Sequence, residues 1–183
     1  MNNKVFRRLN RLSYVPRWVV LPTLKSQSVA EHTFNTMWLA IWLGKKLEAE
    51  MSEGEIVLKV MYHDELEAVF GDRPSPSKIC KISEVMTAEE AFLKLADLLE
   101  AILFLASEST LGNNAIQDVL KFVRLKFEKV CDILNTKQLL EGGQGTTMWV
   151  KDKIDSSLLL GEAMDTFSVC RHPVMEFSDY EQS

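Results

Sequence analysis

The chain has 183 residues, 46% of them apolar and 26% charged, a balance that supports one packed core and excludes wholesale disorder. That length is short for two ordinary domains, so residues 1–183 are expected to form a single domain. A net charge of −5 opposes loose binding to polymeric DNA or RNA; no run of 18 apolar residues offers a membrane span, and Met1-Asn2-Asn3-Lys4 leads into a charged helix, which points to a cytoplasmic protein.

Phe6 to Tyr14 reads as a short first helix, followed by a loop bracketed by Pro16 and Pro22 that holds Arg17, Trp18 and Val20. Ser28-Val29-Ala30-Glu31 has the S-x-x-E form of a capping box, in which hydroxyl and carboxylate each satisfy an orphaned backbone donor. His32 is therefore expected in the first turn of a helix that runs through Phe34, Met37, Trp38, Ile41 and Trp42 to about Glu50. Ser52-Glu53-Gly54-Glu55 repeats the pattern and opens a second helix through Ile56, Val60, Met61, Leu66 and Val69, ended by Gly71 and the turn-rich stretch up to Lys78.

A third helix is predicted from near Ser83 or Thr87 to about Ser107, and its almost unbroken apolar run through Phe92, Leu95, Leu99, Ile102 and Leu105 marks it as central. Gly112-Asn113-Asn114 interrupts the chain, an amphipathic segment follows from Ile116 to about Leu134, and Gly142, Gly143 and Gly145 fall in a loop. A last helix is expected from Trp149 or Ile154 to Val169, ahead of a polar tail at 171–183. With no alternating strand pattern and no internal repeat, the class is all-α. Cys80, Cys131 and Cys170 are odd in number and far apart, which fits reduced thiols and not a disulfide framework or a CxxC zinc site.

His63 and Asp64 are adjacent within an apolar helix, and Asp97 lies in the greasy run Phe92-Leu93-Lys94-Leu95-Ala96-Asp97-Leu98-Leu99. A buried carboxylate without a partner costs on the order of several kcal/mol, so something positive must face Asp97. A divalent ion held by His32, His63, Asp64 and Asp97 supplies that charge and leaves positions for water and substrate. The mixed nitrogen and oxygen set suits zinc, manganese, cobalt, iron or nickel better than calcium or magnesium. A lone helical histidine is more often a satisfied core or surface residue than a ligand. The His63-Asp64 adjacency, the use of two of only three histidines and the setting of Asp97 turn the balance toward a metal.

Glu67 lies four residues after His63 and three after Asp64, on the same predicted helix face, where a carboxylate can shuttle a proton; on spacing alone a solvated glutamate is equally acceptable. Arg17, Lys78 and Lys94 are candidates for phosphate oxygens, although a lysine such as Lys94 can also snorkel. Trp18 offers a ring for a base or sugar, against the commoner role of packing on the core. His172 lies in the polar tail and is taken as uninvolved, and the glycine loop has neither the strand nor the lysine of a phosphate-binding loop.

The set His32, His63-Asp64, Asp97 resembles the metal motif of the HD-domain phosphohydrolases. The segments Arg11-Leu12, Arg17-Trp18, Val29-Ala30-Glu31-His32-Thr33, Tyr62-His63-Asp64-Glu65-Leu66-Glu67, Gly71-Asp72-Arg73-Pro74-Ser75-Pro76-Ser77-Lys78, Lys94-Leu95-Ala96-Asp97 and Gly112-Asn113-Asn114 are similar to its YfbR-like 5′-deoxynucleotidase branch and to the related phage dATP triphosphohydrolases. The resemblance implies a single helical HD bundle with its metal motif within 17–97, a zinc, cobalt or manganese cofactor on His32, His63, Asp64 and Asp97, and Glu67 assisting the attacking water or the leaving group. It also implies that Arg17, Lys78 and Lys94 hold phosphate, that Trp18, Val20 and Asp72 contact the nucleoside, and that the protein is a homo-oligomer. The stretch between Lys78 and Asp97 is shorter than in the bacterial deoxynucleotidases, which leaves monophosphate against triphosphate open; the overall shortness of the chain leans toward the compact phage type, with dATP, hydrolysed to deoxyadenosine, as the first substrate expectation. A 5′-deoxynucleotidase acting on deoxynucleoside monophosphates is the alternative. A cyclic-nucleotide or (p)ppGpp hydrolase, or a non-catalytic helical module, ranks below these.

Overall fold

The computed structural model describes residues 3–72, 86–140 and 153–167, and the statements below concern these. They form α1 (Asn3–Arg11), α2 (Val29–Lys46), α3 (Glu53–His63), the single turn α4 (Glu67–Phe70), α5 (Ala88–Thr110), α6 (Gln117–Leu140) and α7 (Ser156–Phe167), with short 3-10 turns at Leu12–Tyr14 and Asn114–Ile116. Among the described residues there is no strand, only one isolated antiparallel bridge between Pro16 and Ser28. The all-α expectation holds.

Three helices start as the sequence dictates. Ser28, Ser52 and Thr87 each accept a hydrogen bond from the backbone N–H three residues on, and Glu31, Glu55 and Glu90 return the bond to the cap's own N–H. The apolar faces then decide the packing. α5 is central, with Phe92, Leu95, Leu99 and Ile102 fully buried against Leu39 and Leu43 of α2, Ile56 and Val60 of α3, and Phe127, Val130 and Leu134 of α6. Burying each such side chain contributes about 1.5–3 kcal/mol. α7 closes the bundle through Leu159 and Ala163. A smaller cluster of Leu12, Val29 and Ala68 fastens α1 and α4 beside the start of α2.

Several boundaries differ from the sequence reading. α1 begins at Asn3 and gives way to the 3-10 turn at Leu12, α2 ends at Lys46, α6 continues to Leu140, and α7 begins at Ser156. The consequential difference is in the second helix, expected to run unbroken through Val69. It stops at His63, because Asp64 takes φ −110° and ψ 14°, and the chain resumes only as the short α4. The residues that would have continued the buried stripe, Leu66 and Val69, are exposed, so no packing holds a longer helix there. Gly71 ends α4 as expected, at φ 74° and ψ 165°, a backbone geometry that only glycine adopts without strain.

The loop 15–28 is tied down at both ends. Val29 N–H donates to Val15 O (2.9 Å) and Arg17 N–H to Gln27 O (2.8 Å). Glu108, wholly buried, accepts from the backbone N–H groups of Leu24 (2.6 Å) and Lys25 (2.8 Å), while Asn113 Nδ2 donates to Pro22 O (2.8 Å) and to Glu108 (2.7 Å). These bonds press the loop onto α5 and fix where Arg17 and Trp18 point.

Candidate active site

Four elements deliver polar side chains to one place: His32 from the first turn of α2, His63 from the last residue of α3, Asp64 from the break that follows, and Asp97 from α5. One ligand atom from each of His32, His63 and Asp97 lies within 4.8 Å of the others. Asp64 Oδ2 is 3.4 Å from His32 Nε2 and 2.9 Å from His63 Nε2, and Asp97 Oδ1 is 3.2 Å from His32 Nε2. The helix break at Asp64 turns its carboxylate toward the preceding imidazole, which adjacent positions on a continuous helix do not allow.

Both imidazoles point Nε2 inward. His63 Nδ1 is 2.6 Å from Val60 O, and His32 Nδ1 is 2.6 Å from Glu100 Oε2. A backbone carbonyl only accepts, so Nδ1 of His63 carries the proton and Nε2 keeps a lone pair for the cluster. His32 is fully buried and its Nε2 has no hydrogen-bond partner, although two carboxylate oxygens lie close by. An orphaned inward-facing imidazole nitrogen amid carboxylates is the donor arrangement that a divalent ion fits.

The electrostatics agree. Burial and Arg17 oppose charge on His32, but Glu100, Asp64 and Asp97 outweigh them and lift its pKa to about 10. His63 is also raised, since Asp64 and Asp97 overcome its burial. Burial alone would raise Asp64 and Asp97, yet the neighbouring imidazoles hold Asp64 well below the usual carboxylate range, and Lys94, His32 and Arg17 do the same for Asp97. The centre demands positive charge, and without an ion protons on the imidazoles provide it.

Asp97, expected to need a positive neighbour, has three. Lys94 Nζ pairs with its Oδ2, Arg17 Nη2 lies 3.4 Å from its Oδ1, and His32 is the third. Arg17 Nη1 also lies 3.9 Å from Asp64, and its guanidinium sits 5.2 Å over the Trp18 ring. Lys94 is 40% exposed, so its ammonium stands at the rim. Glu67 lies just past the helix break, and one of its carboxylate oxygens is buried without a partner. Burial, with the charges of Asp64 and Asp72, raises its pKa to about 7.

Trp18 takes φ 64°, a left-handed geometry that costs a residue of this size about 1–3 kcal/mol. Its backbone N–H donates to Asp72 Oδ2 (3.0 Å), its Nε1–H donates to Gln27 Oε1 (2.9 Å), and its ring stacks on Phe104 at 5.6 Å and 7°. Trp18 thus packs on the core and also faces Arg17, while Val20 is exposed on the same loop. Asp72 is brought to Trp18; Lys78, Cys80, His172, Cys170 and the glycine loop lie outside the described residues. Cys131 is a buried free thiol whose pKa burial pushes up to about 12, an inert core residue.

Sequence reading missed Glu100, Gln27 and Glu108. Glu100 is 3% exposed and binds His32, and Gln27 Nε2 donates to its Oε1 at 2.6 Å. The available signal was a glutamate one turn beyond Asp97 inside Leu98-Leu99-Glu100-Ala101-Ile102, which raises the same question of a partner as Asp97 itself.

A helical bundle that gathers His, His-Asp and Asp around an orphaned imidazole has the arrangement of an HD domain, and the chain is a hydrolase of the HD type. The 5′-deoxynucleotidase YfbR-like family model matches residues 4–84. A 5′-deoxynucleotidase of Citrobacter koseri is 26% identical over 94% of this chain and 92% of its own, and the 5′-deoxynucleotidase YfbR of Salmonella arizonae is 25% identical with the same coverage. A conserved hypothetical protein from Pyrococcus furiosus superposes with a TM-score of 0.53 at 19% identity, over 70% of this chain and 99% of that one, which bears on the fold alone. In its site geometry and in these matches the chain is similar to the YfbR-like HD-domain phosphohydrolases. No described helix is long and apolar enough to cross a membrane.

Proposed function

We propose that this protein is a metal-dependent 5′-deoxynucleotidase that hydrolyses deoxynucleoside 5′-monophosphates to deoxynucleoside and phosphate. The observation that carries the reading is the convergence, on one centre, of His32, His63, Asp64 and Asp97 with the raised carboxyl of Glu67 and the cations Arg17 and Lys94. A purely structural metal site has no use for an acid poised near neutrality beside two cations. The relatives' names favour the monophosphate alternative over the dATP triphosphohydrolase that chain shortness had suggested.

In this proposal His32, His63, Asp64 and Asp97 would hold one divalent ion of the zinc, cobalt or manganese kind, which would supply a Lewis acid and let water ionise nearer neutrality. Arg17 and Lys94, already paired with the aspartates, would turn a hydrogen bond to the phosphate oxygens, and the family resemblance adds Lys78 as a third phosphate-binding cation. Glu67, whose carboxyl is raised by burial and by Asp64 and Asp72 in the metal-free site, would serve as the proton donor to the departing 5′-oxygen. Trp18, Val20 and Asp72 line the nucleoside side. The exposed Phe34 and Trp38 of α2 and Leu58 of α3 support the expectation of a homo-oligomer, which sedimentation checks.

The deciding experiment is a product analysis of purified protein with cobalt, manganese or zinc against deoxy- and ribonucleoside mono- and triphosphates. Release of inorganic phosphate from deoxynucleoside monophosphates, lost in His63→Ala and Asp64→Ala, is the expected result. Preferential turnover of dATP restores the triphosphohydrolase reading, and equal turnover of both mutants ends the catalytic one.

A further inference from the structure

A hydrogen-bond chain runs from the candidate ligand His32 to Trp18. His32 Nδ1 meets Glu100 Oε2 at 2.6 Å, Gln27 Nε2 meets Glu100 Oε1 at 2.6 Å, and Trp18 Nε1 meets Gln27 Oε1 at 2.9 Å. Asn35 Nδ2 adds a longer bond to Glu100 Oε1 at 3.4 Å. Glu100 and Gln27 are 3% and 6% exposed, so water is not at hand to repair a mismatch.

The direction of each bond is forced. An indole N–H only donates, so Gln27 must present its oxygen to Trp18 and its NH2 to Glu100. Glu100 must then accept, and a carboxylate can accept on both oxygens at once. His32 Nδ1 is thereby the donor, and the lone pair of its ring is left on Nε2, the atom that faces Asp64 and Asp97. We propose that Glu100 is a positioning residue that fixes the metal-ligating tautomer of His32, and that Gln27 couples this orientation to Trp18, one of the residues assigned above to the nucleoside side. The inference rests on the reading of His32, His63, Asp64 and Asp97 as a metal site. It adds that the ion's affinity is set in part from the Trp18 wall, about which ligand identity says nothing.

The same donor logic provides a swap test. In Glu100→Gln the new side chain has one acceptor and one donor. If its oxygen faces His32, its NH2 meets the NH2 of Gln27, and reversing Gln27 brings a second NH2 against the Trp18 indole. If its NH2 faces His32, the imidazole proton moves to Nε2 and the ligand atom is blocked. In the double variant Glu100→Gln/Gln27→Glu the three short bonds of the chain are restored, and only the longer one from Asn35 is lost. The carboxylate introduced at position 27 accepts from the Trp18 indole and from the amide introduced at position 100, while the oxygen of that amide accepts from His32.

Calorimetric titration with Co2+ alone, without nucleotide, measures the affinities, and metal-free thermal melts check that each variant is folded. Glu100→Gln is expected to bind about 10- to 100-fold more weakly, and the double variant to recover most of that loss. Single-variant affinity within about twofold of the parent, or a folded double variant no better than the single, overturns the inference. Absence of Co2+ binding by the parent protein instead overturns the metal-site reading beneath it, so the two failures are distinct.

Discussion

Replacing Glu67 by glutamine is expected to make the metal-free protein more stable at alkaline pH while disabling it. Burial and the neighbouring Asp64 and Asp72 hold the Glu67 proton up to a pKa of about 7, against 4.5 for the free side chain, and one carboxylate oxygen has no partner. Below pH 4.5 both folded and unfolded chains keep this proton, and the variant and parent should be equally stable. Between 4.5 and 7 the unfolded chain ionises first and binds fewer protons than the native state, so the parent loses stability as pH rises. Above 7 the loss is complete. A shift of this size corresponds at face value to about 3 kcal/mol, and solvent reaching the partly open side chain reduces the expected effect to about 1–2 kcal/mol. Urea unfolding in the presence of a chelator, at about pH 5 and about pH 8.5, reads it directly: Glu67→Gln should gain roughly that much over the parent only at the higher pH. With metal and substrate, turnover should fall by about 10²-fold or more. A stability difference independent of pH, or a variant less stable than the parent at the higher pH, refutes the reasoning.

Two further outcomes follow from the geometry. His32, with a pKa lifted to about 10, is protonated in the metal-free protein near neutral pH; its contribution to stability is full below 6.5 and fades as pH rises through 10. An ion must displace that proton, so calorimetry in buffers of differing ionisation enthalpy should show at least about one proton released per ion at about pH 7.5, and no release contradicts the assignment. In the bundle, a Cβ added at Gly44 would stand 2.9 Å from Ile56 Cδ1, the end of a buried side chain that must turn aside, and Gly44→Ala should cost about 1 kcal/mol in chemical unfolding despite the better helix propensity of alanine.

Much of this site was written into local sequence. The capping boxes at Ser28 and Ser52 fix where α2 and α3 begin, and so put His32 in a first turn and His63 three turns along the next helix. The apolar run around Asp97 marked α5 as central and demanded a positive neighbour, and Arg17, Lys94 and His32 answer that demand. What stayed hidden depends on contacts between distant segments. Periodicity cannot register the break at Asp64, because Leu66 and Val69 look like a continued buried stripe until nothing is found to cover them. Glu100 and Gln27 stand 73 positions apart, and Glu108 serves a loop more than 80 positions earlier; a local window can show that such a glutamate needs a partner but not which residue it is.

The central claim is that four side chains from separate elements hold one divalent ion. Metal content per chain, measured by elemental mass spectrometry after equilibrium dialysis against cobalt, tests it most directly in the parent and in Asp97→Ala. One ion per chain in the parent and a vacant but folded variant is the predicted result. No ion in the parent, or an undiminished one in the variant, contradicts it.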